Sequence, residues 1–287
     1  GDFAAARLQF EQSLSSSRTI GDLGGQARSL NAVAATLQKE GRVDDARAKF
    51  EAALAIAREI DDRTIVGMAL NNIANIVKDR GDLKKARRLY EESLAIEERP
   101  EILQHMGNLY GDVGRLDKAI EAFERSTQKV PEFPGGYGGL GLAYYRRARL
   151  PEAIEMFEKA IALDPDFITA RYWLGIAYFH RGDFEKAIGV YHALLEVAPD
   201  FTVAWYHLGV AAAQKGDHDE TLRAFGKVLE QNPRSFVANY RTGVAHFHKG
   251  NLDAAIGAFR TALDINPDHK RARENLRSLE DMRMRFS

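Results

Sequence analysis

Apolar side chains recur at three- and four-residue intervals in a long series of blocks, and no block alternates with the two-residue period of a strand. The pattern predicts helices along the whole chain. Between the blocks a turn motif comes back eight times, as GDFAAA, GRVDDA, GDLKKA, GRLDKA, ARLPEA, GDFEKA, GDHDET and GNLDAA. Its first residue is Gly1, Gly41, Gly81, Gly114, Ala148, Gly182, Gly216 or Gly250, at spacings of 40, 40, 33, 34, 34, 34 and 34. Five places on stands a small residue: Ala6, Ala46, Ala86, Ala119, Ala153, Ala187, Thr221 or Ala255. Four further on comes an aromatic ring: Phe10, Phe50, Tyr90, Phe123, Phe157, Tyr191, Phe225 or Phe259. Three features kept in register through eight units define an internal repeat, each unit a pair of helices joined by a tight turn.

Each feature has a physical reason. Glycine after a helix takes the left-handed conformation that ends it without steric cost. The acidic residues that follow sit near the next helix N-terminus, where the dipole favours them. The small residue lets two backbones approach, and the ring one turn later fills the space beside it. Pro131, Pro165, Pro199, Pro233 and Pro267, each 34 residues apart, are expected to stop the second helix of a unit. Pro100 is expected to act likewise, Pro134 to open a first helix and Pro151 to occupy the first turn of a second.

The first helices, such as FITARYWLGIAYFHRG, resemble those of tetratricopeptide repeats. Leu174, Gly175 and Tyr178 match the Leu-Gly-x-x-Tyr core of that family, Trp205 matches its early Trp, and Ala187, Tyr191 and Pro199 complete the match. The two 40-residue units are similar to the extended repeats of Leu-Gly-Asn-type polarity adaptors and kinesin light chains. The six extra residues are expected to lengthen both helices by part of a turn. The resemblance implies an all-α solenoid of helix-turn-helix units wound into a right-handed superhelix. Residues 1–26 would be a partial repeat consisting of a second helix only, 27–99 two extended repeats, 100–267 five shorter ones and 268–287 a capping helix. Seven full repeats result. The start, without an initiator Met and without a partner for its first helix, implies sequence upstream. Phe3, Leu8, Phe10 and Leu14 would then form an uncapped apolar edge open to self-association. Lys270, Arg271, Arg273, Arg277, Arg283 and Arg285 make the opposite end polar.

Two departures stand out. Ala148 replaces a turn glycine, which predicts a strained or reshaped corner. The run GGYGGLG at 135–141 has neither the Lys-Ser/Thr ending nor the preceding strand of a phosphate loop, so a flexible joint between the two kinds of repeat is expected there.

Composition narrows the function. The 40 basic and 41 acidic residues leave a net charge of −1, which gives no reason to expect nucleic acid or membrane partners. No apolar run approaches the roughly 20 residues of a membrane span. Zero cysteines exclude disulfides and thiolate metal sites and fit a reducing compartment, so a cytoplasmic location is expected, although a periplasmic protein can lack cysteine too. His246 and His248, two residues apart, point about 200° from each other on a helix and cannot share a metal. His246 falls at a core position, while His180, His207 and His248 fall nearer the groove. No catalytic, metal or cofactor site is expected.

In the family the resemblance points to, the second, fifth, ninth, twelfth and thirteenth places of a repeat line the concave groove. The early repeats place there Arg28, Asn31, Gln38, Lys39, Asn71, Asn72, Asn75, Lys78, Gln104, His105 and Asn108. The later ones place Tyr145, Tyr172, Trp173, Phe179, Tyr206, His207, Tyr240, Arg241 and Phe247. Asparagine is a poor helix former whose amide matches a peptide bond, so a row of them suits an extended peptide gripped by its backbone. Tyr172, Tyr206 and Tyr240 recur at one place in successive repeats and would anchor side chains. The two-carboxylate clamp of tetratricopeptide co-chaperones is not expected, because the best windows keep only Asn72 or only Arg241 of its five residues. The expected function is a non-enzymatic scaffold or adaptor holding a protein or peptide partner. The alternative is the targeting region of a larger enzyme, a glycosyltransferase or kinase, whose catalytic domain lies on other sequence.

Overall fold

The computed structural model describes residues 3–286, and the side chains up to position 284; the turn residue Gly1 and the side chain of Arg285 lie outside the described residues. Among the described residues there are sixteen α-helices and no strand. The first five are α1 (Phe3–Thr19), α2 (Leu23–Lys39), α3 (Val43–Glu59), α4 (Arg63–Asp79) and α5 (Leu83–Ile96). They are followed by α6 (Pro100–Asp112), α7 (Leu116–Lys129), α8 (Pro134–Arg146), α9 (Leu150–Leu163), α10 (Ile168–Arg181) and α11 (Phe184–Val197). The last are α12 (Thr202–Lys215), α13 (His218–Gln231), α14 (Phe236–His248), α15 (Leu252–Ile265) and α16 (Lys270–Phe286). They fall into two compact units, one ending at Ala143 and the other beginning at Tyr144, so the boundary lies inside α8.

The two repeat lengths come from two kinds of connection. Helices α1 to α4 all have 17 residues, and left-handed residues recur every 20 positions, at Gly21, Gly41, Asp61 and Gly81. Both turns of a long repeat therefore have the same form, and Asp22, Asp62 and Asp82 cap the helices that follow. The extra length falls on α2, α3 and α4, while α5 has the 14 residues of a shorter repeat. From α7 onward the second helix ends instead in an extended residue just before a proline, as at Val130 and Asp164. Pro100 departs from its expected role: α5 has already ended at Ile96, and Pro100 opens α6, where its missing N–H costs nothing.

The last three shorter repeats and the capping helix are each locked at their start by a bond across six residues. Arg171, Trp205, Asn239 and Arg273 donate from their side chains to the carbonyls of Pro165, Pro199, Pro233 and Pro267. The donors are 34 residues apart and chemically unlike, which is why the early-Trp place tolerates Arg and Asn here. Phe50, Tyr90, Phe123, Phe157, Tyr191, Phe225 and Phe259 are all at most 3% exposed, and the small residues five places after the turn are buried with them. The glycine of the first helix is what makes room for the ring. A Cβ added at Gly107, Gly175, Gly209 or Gly243 would stand 2.7, 2.6, 2.9 or 2.9 Å from the ring of its own repeat.

Ala148 keeps the shape of the glycine turns at φ 58, so that corner is strained rather than reshaped. The glycine run is not a joint in the backbone: residues 134–146 form one helix. Its glycines serve close packing, since a Cβ at Gly139 would lie 2.2 Å from Phe123 and one at Gly135 2.6 Å from Gln104.

Candidate functional site

Within each unit the first helices of successive repeats close on one another, α2 on α4 and α4 on α6 in the first, α10 on α12 in the second. The second helices make no comparable approach, so the first helices line the inner side of each unit. Twelve of the candidate residues from the sequence lie on such helices and are half-buried: Asn31, Asn71, Asn72, Asn75, Lys78 and Asn108 in the first unit, Tyr172, Trp173, Tyr206, His207, Tyr240 and Arg241 in the second; Arg28, Lys39 and Phe247 are exposed.

In the first unit the amides are drawn into pairs. Asn72 Nδ2 lies 3.5 Å from Asn31 Oδ1, linking α4 to α2. Asn71 Oδ1 lies 2.9 Å from His105 Nδ1, linking α4 to α6. A carboxamide oxygen only accepts, so the His105 proton sits on Nδ1. Burial first, and then the Lys78 charge, hold the His105 pKa below its ordinary value, which keeps the ring neutral. Asn75 differs from the others, because its Oδ1 accepts from the hydroxyl of the fully buried Tyr90. The Nδ2 groups of Asn71 and Asn75 have no partner among the described residues. Lys78 lies 3.8 Å from Asp79, and Asn108 stands beside the pairs without a side-chain bond of its own.

In the second unit the rings form a connected cluster. Tyr145 and Tyr172 flank Trp173 at centroid distances of 5.3 and 5.7 Å. The Tyr172 hydroxyl is 3.2 Å from His207 Nε2, and Tyr206 stands edge-on to the same imidazole at 5.3 Å. Burial, with a smaller contribution from His180, lowers the His207 pKa, and burial raises that of Tyr172. The cluster is therefore uncharged at neutral pH. Tyr240 does not join it. Its neighbours are Phe236, Phe259 and His269, and Asn275 Nδ2 lies 3.4 Å from its hydroxyl. Arg241 has no ion pair among the described residues.

One surface was not foreseen. Tyr240, Phe247 and His248 form one wall of a cleft of about 250 Å³ whose other wall is Asn275, Leu279 and Met282 of α16. The arginines of that helix drew it as a polar cap. The apolar Leu276, Leu279 and Met282, at three-residue intervals, were the available signal. His246 is half-buried, with Nδ1 enclosed and without a hydrogen-bond partner. No group of three or more His, Asp or Glu suited to a metal occurs among the described residues, and no helix there is long and apolar enough to cross a membrane.

A solenoid of paired helices with a polar row and an aromatic cluster on its first helices belongs to the class of repeat proteins that present side chains to other proteins. Tetratricopeptide-repeat family profiles match residues 25–99 and, in overlapping stretches, residues 106–270, so the chain belongs to the tetratricopeptide repeat family. Among solved structures it is similar to YrrB, described as a tetratricopeptide-repeat protein with an unusual peptide-binding site. That match has 26% identity and a TM-score of 0.60, over 64% of this chain and 96% of that one. It is also similar to MamA, at 30% identity and a TM-score of 0.52 over 56% of this chain and 95% of that one. A tetratricopeptide-repeat fragment from Cytophaga hutchinsonii shares the fold at 19% identity and a TM-score of 0.64, over 85% of this chain and 98% of that one. No curated protein sequence matches significantly.

Proposed function

We propose that the chain is a non-catalytic scaffold that holds extended segments of a partner protein on the inner side of the first helices of each unit. The observation that carries this reading is the different chemistry of the two inner sides. Polar amides with unused N–H donors line the first unit, and a half-buried, uncharged aromatic cluster lines the second. Amides suit a peptide backbone and rings suit apolar side chains, so the two surfaces call for different stretches of a partner. The peptide-binding site of YrrB supports the same reading.

Peptides selected from a display library on the immobilised chain test it. Asn71→Ala is expected to weaken a selected peptide by about two- to twelvefold, the effect of one hydrogen bond. Tyr172→Ala is expected to weaken others by about thirtyfold, as a hot-spot ring would. Selected peptides that bind both variants like the wild type would remove this site.

The edge at α1 is proposed as a second contact surface, for a further copy of the chain. Phe10 is 38% exposed where its counterparts are buried, and Phe3 and Leu8 are 39% and 55% exposed beside it. Sedimentation equilibrium should show association that Leu8→Glu with Phe10→Glu abolishes. A monomer at all concentrations refutes it.

A further inference from the structure

The side of the first unit away from the Asn row carries a trough that no part of the groove reading uses. On α6 the residues Asn108 and Tyr110 are two apart and so point about 200° from each other. Asn108 belongs to the inner side. Tyr110 lines two adjoining hollows with α6 as their floor, one of about 550 Å³ between α5 and the turn after α6, the other of about 460 Å³ between α5 and α7. The trough opens where long repeats give way to short ones. Helix α5 is three residues shorter than α3, and it packs on α6 less extensively than α3 packs on α4.

The trough has a chemical polarity. The hollow nearer the helix turns has an apolar floor that includes Leu109, Tyr110 and the 41% exposed Val113, and its rim is cationic. Lys84, Arg88 and Arg115 are exposed and have no ion pair with any described residue. Arg87 is the exception: its Nε lies 3.5 Å from Glu91 Oε1 of the same helix, an ion pair too loose for a hydrogen bond. No acidic side chain lines this hollow. The other hollow is electrically mixed: Glu91 and Glu121 line it beside Lys118 and Arg125, and Arg125 is already paired with Glu98 at 2.7 Å. Three cations without an ion pair, gathered with Arg87 around an exposed valine and a half-buried tyrosine, are not needed by the fold. Like charges so gathered repel one another, and an anionic ligand would relieve the repulsion.

We infer that this trough is a second docking site, for an acidic segment of a partner protein in which several carboxylates adjoin apolar residues. Its carboxylates meet Lys84, Arg88 and Arg115 at the turn end, and its apolar residues lie on Val113 and Tyr110. The chain then holds two partners, or two parts of one, on opposite sides of a single layer of helices.

Fluorescence anisotropy with a short labelled peptide of consecutive glutamates followed by two leucines tests this. The probe is expected to bind the wild-type chain, and to bind less tightly as salt rises. Lys84→Glu with Arg88→Glu is expected to weaken it by about tenfold or more, with an unchanged melting curve because both side chains are exposed. Val113→Glu should weaken it as well. The double variant is expected to keep its affinity for peptides selected on the inner side, which separates failure of this site from failure of the groove. Equal binding of the probe by wild type and double variant would overturn the inference. So would oligothymidylate, or a glutamate peptide without leucines, binding as tightly as the probe, because the surface would then be a general anion attractor.

Discussion

Phe123→Ala is expected to lower the stability of the first unit by about 3–5 kcal/mol, the largest single effect foreseen for this chain. The ring is 3% exposed and lies between two helices that carry glycine where they meet it. Added Cβ atoms would come within 2.7 Å of it at Gly107 on α6 and 2.2 Å at Gly139 on α8. Removing the ring leaves a void that neither helix can fill, since both present bare backbone there. A repeat solenoid is held by contacts between neighbours, so the loss should appear as early unfolding around α6 to α8 rather than as uniform weakening. Hydrogen exchange across a urea titration reads this directly. A loss below about 1 kcal/mol, or protection lost evenly along the chain, would show that the ring is not the wedge between these helices.

Asn75→Ala is expected to cost about 1–3 kcal/mol of stability although Asn75 lies on the inner side, because it strands the buried Tyr90 hydroxyl that now donates to Asn75 Oδ1. In a Tyr90→Phe background the same substitution should cost much less, and the coupling in the double-mutant cycle measures the bond. Tyr191 supplies the contrast. It occupies the equivalent place, but Ile176 stands where Asn75 does, and its enclosed hydroxyl has no hydrogen-bond partner. Burial raises the pKa of both hydroxyls, so both remain protonated donors at any ordinary pH. Tyr191→Phe should therefore leave stability unchanged or raise it, while Tyr90→Phe lowers it. The same sign for both substitutions would contradict this account. For the proposed peptide site the consequence is that Asn71, whose partner His105 is only half-buried, tests binding with less disturbance of the fold than Asn75, whose partner Tyr90 is fully buried.

Much of this was legible in the residue order, because a repeat states the same constraint many times. The turn glycines, the small residues and the aromatic rings each return in one register, and local sterics suffice to turn that register into paired helices. The proline carbonyls joined to Arg171, Trp205, Asn239 and Arg273 were not legible, because four unlike side chains perform one task and only their positions agree. Pro100 was misplaced for a related reason: a proline marks a boundary but does not say which helix it bounds. The glycine run at 135–141 suggested looseness, whereas the facing Phe123 and Gln104 make it a close-packed helix.

Helical periodicity, repeat length and the face on which each candidate side chain falls follow from order along the chain, because each depends on neighbours a few residues away. Which of those side chains remain available to a partner does not follow from order. Asn75 is engaged by Tyr90, Asn71 by His105 and Tyr240 by the wall that α16 builds, and each of these meetings joins residues from different helices. The trough beside α5 is of the same kind. Its cations are plain in the sequence, but the gap that gathers them beside Val113 and Tyr110 exists only because helices of two lengths meet there.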